Sequence, residues 1–187
     1  RESERALEVI SKAYPSVEPL KDLLDGALMN AGPIIHPPLI MMNAGPLEHF
    51  DAWDIHNEGT QPSIRRTTDA LDNERIAIRE ALGYSAPHFP LADHYDDSRD
   101  EWMYGNSSHE KLTDSGDWRE HIVLTQHRYM LEDTATGLSF LTSVANLAGV
   151  EAPLATGFLA IGSAITGEDL YATGRTLESL GLDLDIA

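Results

Sequence analysis

The chain is expected to fold as a mainly α, multi-helix domain. Three observations predict this. Apolar residues recur at three-and-four spacing along much of the sequence, the pattern of helices that each bury one face. No stretch alternates apolar and polar residues with the period of two that a half-buried strand requires. Helix punctuation recurs too, with proline at predicted first turns and glycine just past predicted ends. At 187 residues the chain can bury a core without covalent staples. It has no cysteine, which excludes disulfides, thiolate zinc sites and cysteine nucleophiles.

Charge narrows the partners. With 13 basic and 31 acidic residues the formal charge is −18, which would repel a phosphate backbone and excludes nucleic acid. The lysines are Lys12, Lys21 and Lys111, so an anionic ligand would depend on arginine. No apolar run approaches the ~18 residues of a membrane span, and the N-terminus lacks signal-peptide features. A cytoplasmic protein with no membrane partner is expected.

Arg1 to Lys12 reads as a helix with Ala6, Leu7 and Ile10 on its apolar face, ended by Tyr14-Pro15. Pro19 is expected to open a second helix, with Leu20, Leu23, Leu24, Ala27 and Leu28 as its buried stripe. The stretch Asn30 to Pro38 then reads as a break, because Gly32-Pro33 and Pro37-Pro38 interrupt the helical pattern. His36 is thereby expected at a kink between two apolar helices, the second running from Leu39 to Ala44 and ending at Gly45-Pro46. Residues 46–61 read as a loop or strand-like excursion. Ser63 to Leu82 forms the clearest helix, with Ile64, Leu71, Ile78 and Leu82 inward and Gly83 as its stop. Pro87 to Met103 is read as another helix, and Gly105 to Trp118 as a polar, mobile loop. Asp133-Thr134 is expected to cap a helix reaching Ala148, Pro153 to open one ending near Thr166, and Asp169 to Leu180 to form the last.

Few side chains have chemical promise. His36 has the imidazole suited to proton transfer near neutral pH, although a histidine among isoleucines and prolines also suits a core. Asp133 is either a helix cap or an acid that fixes a histidine tautomer. Arg128 is either a carboxylate fork or the partner of Glu132 in a surface ion pair. Glu48, His49, Asp51, Asp54, His56 and Glu58 have metal-ligand residue types but no ligand spacing, so an acidic solvated loop is expected and no metal. His94 among Asp93, Asp96 and Asp97 reads the same way. Trp53, Trp102 and Trp118 suit either a pocket wall or the core. There is no G-x-G-x-x-G and no Walker loop, so no cofactor-binding residue is assigned in this chain.

Taken together, Arg1-Glu2-Ser3-Glu4-Arg5 through Tyr14-Pro15-Ser16-Val17, then Pro33-Ile34-Ile35-His36-Pro37, Arg128-Tyr129 with Glu132-Asp133, and Gly174-Arg175-Thr176-Leu177-Glu178 carry a resemblance. The chain resembles the C-terminal α-helical domain of the octopine/nopaline (opine) dehydrogenase family over nearly its whole length. The resemblance implies a helical domain of the 6-phosphogluconate-dehydrogenase-like type, partnered by an N-terminal Rossmann domain that binds NAD or NADP. It implies condensation of an α-keto acid with the amino group of an amino acid and reduction of the imine. It makes His36 the catalytic acid/base, Asp133 its orienting partner and Arg128 a ligand for a substrate carboxylate, with Asn30 as a further substrate-binding candidate. Residues 1–16 are expected to be the tail of the cofactor domain or a linker helix, and 17–187 the helical substrate domain. Hydride transfer is expected to need the Rossmann domain, and a homodimer is one assembly to test. Two other readings stand beside this one. A non-catalytic helical interaction or dimerisation domain would leave His36 and Asp133 far apart. The helical domain of a 2-hydroxyacid or glycerol-phosphate dehydrogenase would use other catalytic residues.

Overall fold

The computed structural model describes residues 2–15, 17–94 and 121–182. Among these the regular structure is entirely helical: α1 (Glu2–Ile10), α2 (Leu23–Ala27), α3 (Gly32–Met42), α4 (Ala44–His49), α5 (Pro62–Ala81), α6 (Leu91–His94), a π-helix (Tyr129–Leu138) that runs on as α7 (Ser139–Ala148), α8 (Pro153–Thr166) and α9 (Leu170–Thr173).

Helix α3 is the centre. It is apolar all round and buries Pro33, Ile34, Pro37, Pro38, Leu39, Ile40 and Met41, as a helix surrounded by others must. The π-helix lies along it, α8 packs beside both, and α5 packs against α3 and α8. Leu71, Ile78, Met130, Leu138, Val144 and Ala155 complete the core, each fully or almost fully buried. The π-helix and α3 approach closely because Gly137 has no side chain. A Cβ there would overlap the Pro33 ring.

Several expectations are corrected. His36 is not at a kink between two helices: it lies inside α3, which runs through Pro37 and Pro38. Gly32-Pro33 begins that helix, with proline in the first turn where its missing N–H costs nothing. Burial on every side holds the two interior prolines in helical geometry despite their missing donors. Gly45-Pro46 likewise sits in the first turn of α4 and does not end a helix. The corner before it is Asn43, which is 3% exposed and donates to the carbonyls of Leu39 (2.8 Å) and Gly59 (3.0 Å). Residues 46–61 hold α4 and then turns, not a strand. The second helix starts at the Asp22 cap, not at Pro19, and its expected stripe is only partly buried: Leu28 is inside, whereas Leu20 and Leu23 are exposed. Asp133 caps nothing, because the helix has already begun at Tyr129. The last expected helix is cut to Leu170–Thr173, because the backbone turns extended at Gly174 (φ −77°, ψ −178°).

Other elements agree with expectation. α1 spans Glu2–Ile10 and buries none of its residues. α5 buries Ile64, Leu71 and Ile78 and stops at Gly83, whose φ of 75° favours glycine. α8 opens at Pro153, and the Glu74 carboxylate of α5 accepts from the free N–H groups of Leu154 (2.7 Å) and Ala155 (3.0 Å). Of the stretch expected as a helix over Pro87 to Met103, the structure describes residues 87–94, of which Pro87 to Pro90 are not helical and Leu91–His94 are. The remainder, the Gly105–Trp118 loop, Asp96, Asp97, Trp102, Trp118 and the side chain of His94 lie outside the described residues.

Candidate functional site

The π-helix organises the site. In an α-helix, residues five apart point ~140° away from each other. The wider i→i+5 turn of a π-helix returns the fifth residue almost above the first. Arg128, at the N-cap, and Asp133 thus come to the same cleft. The widened ladder is supported from within, since the hydroxyls of Thr134 and Thr136 donate to the carbonyls of Tyr129 (2.8 Å) and Leu131 (3.2 Å), five residues back.

Across from it, α3 presents His36. Its Nδ1 lies 2.8 Å from Oδ2 of Asp133, ninety-seven residues away in sequence. A carboxylate can only accept, so Nδ1 carries the hydrogen and donates. That leaves Nε2 as the acceptor of a ring that is 22% exposed and lines the cleft. Tyr129 stacks on the same ring, with centroids 3.7 Å apart and planes 9° from parallel. The phenol is itself held: its hydroxyl is 3.2 Å from Nε2 of His56, and His127 meets its ring edge-on at 4.4 Å. Gly32 completes the fit, since a Cβ there would collide with Oδ1 of Asp133.

The cleft has a volume of about 1540 Å³ and brings together Asn30, His36, Arg128 and Asp133. Asn30 spends its side-chain oxygen on the Gly32 N–H (3.1 Å), which secures the start of α3. Arg128 makes the surface ion pair anticipated as its ordinary role, to Glu132 at 3.4 Å. Both side chains are 65% exposed, a long contact in water that a planar carboxylate can displace. The structure therefore gathers all four candidates and departs from expectation in the surroundings of two.

Sequence reasoning missed three contributors. Tyr129 is part of the Arg-Tyr motif, yet its stacking on His36 depends on a residue ninety-three positions earlier in the sequence. Gly32 reads as a helix breaker, whereas its role is to let Asp133 approach. Arg175 lies in the cleft and belongs to the Gly174-Arg175-Thr176 motif, but no chemistry was attached to it.

The acidic segment after α4 does other work. Asp54 is buried, and its Oδ1 accepts from the N–H groups of His56 (3.1 Å) and Asn57 (3.0 Å) to fix a turn, which corrects its reading as a solvated residue. Among the described residues no three histidine or acidic side chains are grouped as metal ligands. Trp53 does not line the cleft. It packs beside Phe50 and donates Nε1–H to Asn43 (3.0 Å).

Residues 19–166 match the family described as NAD/NADP octopine/nopaline dehydrogenase, alpha-helical domain. The chain belongs to that family. It is 30% identical over 182 residues to an opine dehydrogenase of an Arthrobacter species, covering 95% of this chain and 49% of that protein. It is 29% identical to a vitopine synthase of Allorhizobium ampelinum, over 87% of this chain and 45% of the relative. It is 27% identical to the protein ocs of Agrobacterium tumefaciens, over 82% and 43%. The chain thus spans about half the length of these relatives. As an opine-dehydrogenase helical domain, it has the all-helical architecture that the family description names. No helix among its described residues is long and apolar enough to cross a membrane.

Proposed function

We propose that this chain is the substrate-binding and proton-transferring domain of an NAD(P)-dependent opine dehydrogenase. The enzyme would join an α-keto acid to the amino group of an amino acid and reduce the product to a secondary amine. The observation that carries the reading is the 2.8 Å contact between His36 and Asp133 in an open cleft. An interaction domain would have no need to pair these residues.

The chemistry assigns each residue a task. When the amine attacks the keto carbon, Nε2 of His36 takes the proton that nitrogen sheds. The resulting imidazolium passes that proton to the new alkoxide oxygen. A second proton that Nε2 draws from solvent then goes to the carbinolamine hydroxyl, which leaves as water while the nitrogen lone pair forms the iminium. Asp133 holds the ring by its Nδ1–H and stabilises the cation formed between these steps. Arg128 exchanges its loose contact with Glu132 for a substrate carboxylate, and Asn30 offers its amide N–H groups at the cleft edge. The dinucleotide phosphates are assigned to the N-terminal Rossmann domain that membership of this family implies. The nicotinamide supplies the hydride when bound. On this reading residues 1–16 link the two domains, and the protein acts in the cytoplasm.

The test uses the protein with both domains. His36→Ala is expected to lower kcat by about 10²–10⁴-fold, the usual contribution of a general acid–base, while NADH or NADPH still binds with unchanged affinity by fluorescence titration. A His36→Ala enzyme with normal turnover would refute the assignment.

A further inference from the structure

The reaction proposed above handles two carboxylates, one on each substrate, yet only Arg128 has been given one to hold. Arg175 lines the same cleft, and its side chain has no hydrogen-bond or ion-pair partner among the described residues. Its side chain is exposed at the cleft, so in a chain of charge −18 it is a cation accessible to an entering anion. Its backbone, by contrast, is anchored. Gly174 packs so closely on the π-helix–α7 rod that a Cβ would strike the Ser139 hydroxyl and the Ala135 carbonyl. Ser139 Oγ donates to the Arg175 carbonyl at 3.3 Å. Two residues on, the N–H of buried Leu177 donates to Ser143 Oγ at 3.1 Å. The segment is thus fixed beside the C-terminal end of the π-helix, whereas Arg128 stands at its N-terminal end, and Asp133 lies between them.

We propose that Arg175 is a second carboxylate-binding residue, so that Arg128 and Arg175 grip the two carboxylates of the condensing pair on either side of the His36–Asp133 dyad. This rests on the reductive-condensation reading. Both guanidinia line the cleft that holds the dyad, and the product is a secondary amine whose nitrogen joins two carbons that each bear a carboxylate. The planar fork of arginine fits each of them in bidentate fashion.

The experiment uses the full two-domain protein and the variants Arg175→Ala, Arg175→Lys and Arg128→Ala. KM is measured separately for keto acid, amino acid and nicotinamide cofactor. Losing one charged hydrogen-bonding partner should raise the KM for one carboxylate substrate about tenfold or more in Arg175→Ala, and for the other in Arg128→Ala. Arg175→Lys should recover part of the loss, and the cofactor KM and Tm should not move. Unchanged KM values for both carboxylates in Arg175→Ala overturn the proposal. So does a rise confined to the cofactor, which would assign the guanidinium to a phosphate. If the enzyme reduces no keto acid–amino acid pair, the functional reading fails, and calorimetry with N-(1-carboxyethyl)alanine as the probe decides Arg175 independently. An affinity about tenfold weaker in Arg175→Ala supports the second carboxylate site, and equal affinity or no binding to either protein overturns it.

Discussion

At the scale of single residues, the site depends as much on what is missing as on what is present. Gly32 leaves the space into which the Asp133 carboxylate fits against His36. Gly32→Ala should therefore displace that carboxylate while leaving the helix intact, because alanine is the better helix former by roughly 0.5–1 kcal/mol. Misplacement by about an ångström can cost a hundredfold in rate, so kcat of the two-domain enzyme is expected to fall by about 10²-fold with Tm unchanged or raised. A fall in Tm that paralleled the fall in kcat would point to general unfolding. His36, Asp133 and Arg128 were singled out by the resemblance to the family, because they stand in its motifs, and the structure brings all three to one cleft. Asn30 was legible only as a neighbour of His36, and the structure adds its bond to the Gly32 N–H. Tyr129 and Gly32 were not legible in these roles, since one stacks on and the other makes room for a side chain on a distant helix.

At the scale of elements, the decisive feature is the π-helix, and its register was invisible to periodicity. Apolar spacing distinguishes a strand from a helix, but a stretch of ten residues such as Tyr129–Leu138 is too short to separate an α from a π repeat. The sequence reading of Asp133 as a cap failed for this reason. It took an acid followed by threonine as a start signal inside a helix that was already running. The clearer helices were legible, because α5, α7 and α8 carry a proline start or a glycine stop around a simple apolar stripe. The contact between α3 and the π-helix yields a test of this architecture. A methyl at Gly137 would overlap the Pro33 ring, which is tied into the backbone and cannot turn aside. Overpacking of this kind costs about 1–3 kcal/mol, against the roughly 1 kcal/mol that alanine gains over glycine in a helix. Gly137→Ala is expected to lower the urea midpoint. Gly157→Ala should raise it, since position 157 is also inside a helix but has open space around it. Equal shifts in the two variants would mean that the two helices do not meet as described.

At the scale of the whole molecule, α5 is the strut behind the cleft, and its polar face does the bracing. Arg75 pairs with Asp72 (2.6 Å) and donates to the carbonyls of Leu28 (3.0 Å) and His88 (2.8 Å). Arg79 meets Asp25 at 2.8 Å and donates Nε–H to Nδ1 of His88 at 3.1 Å. These buried arginines hold the α2 segment, which leads into Asn30, against the chain after α5. Nearby, Tyr84 donates to Asp22 at 2.8 Å, and burial followed by that bond pushes the phenol pKa up to about 12. None of this was legible, because charged residues on a long helix ordinarily mark a solvated face. It has a consequence for pH. His88 is held below its ordinary pKa of 6.5, first by burial and then by the Arg79 charge. Its Nδ1 accepts from Arg79 and cannot take a proton without losing that bond, while Nε2 is 3.7 Å from Glu80, which only partly offsets the effect. The folded state therefore binds fewer protons than the unfolded chain once the pH drops below the unfolded value. The contribution of neutral His88 is complete above about pH 6.5 and is lost as pH falls from there through the depressed folded pKa. His88→Gln keeps an acceptor for Arg79 but cannot titrate. In urea titrations between about pH 7.5 and 5, the midpoint of the parent protein should decline more steeply than that of His88→Gln. Parallel curves would show that His88 is not the proton-sensitive joint between α5 and the chain that follows it.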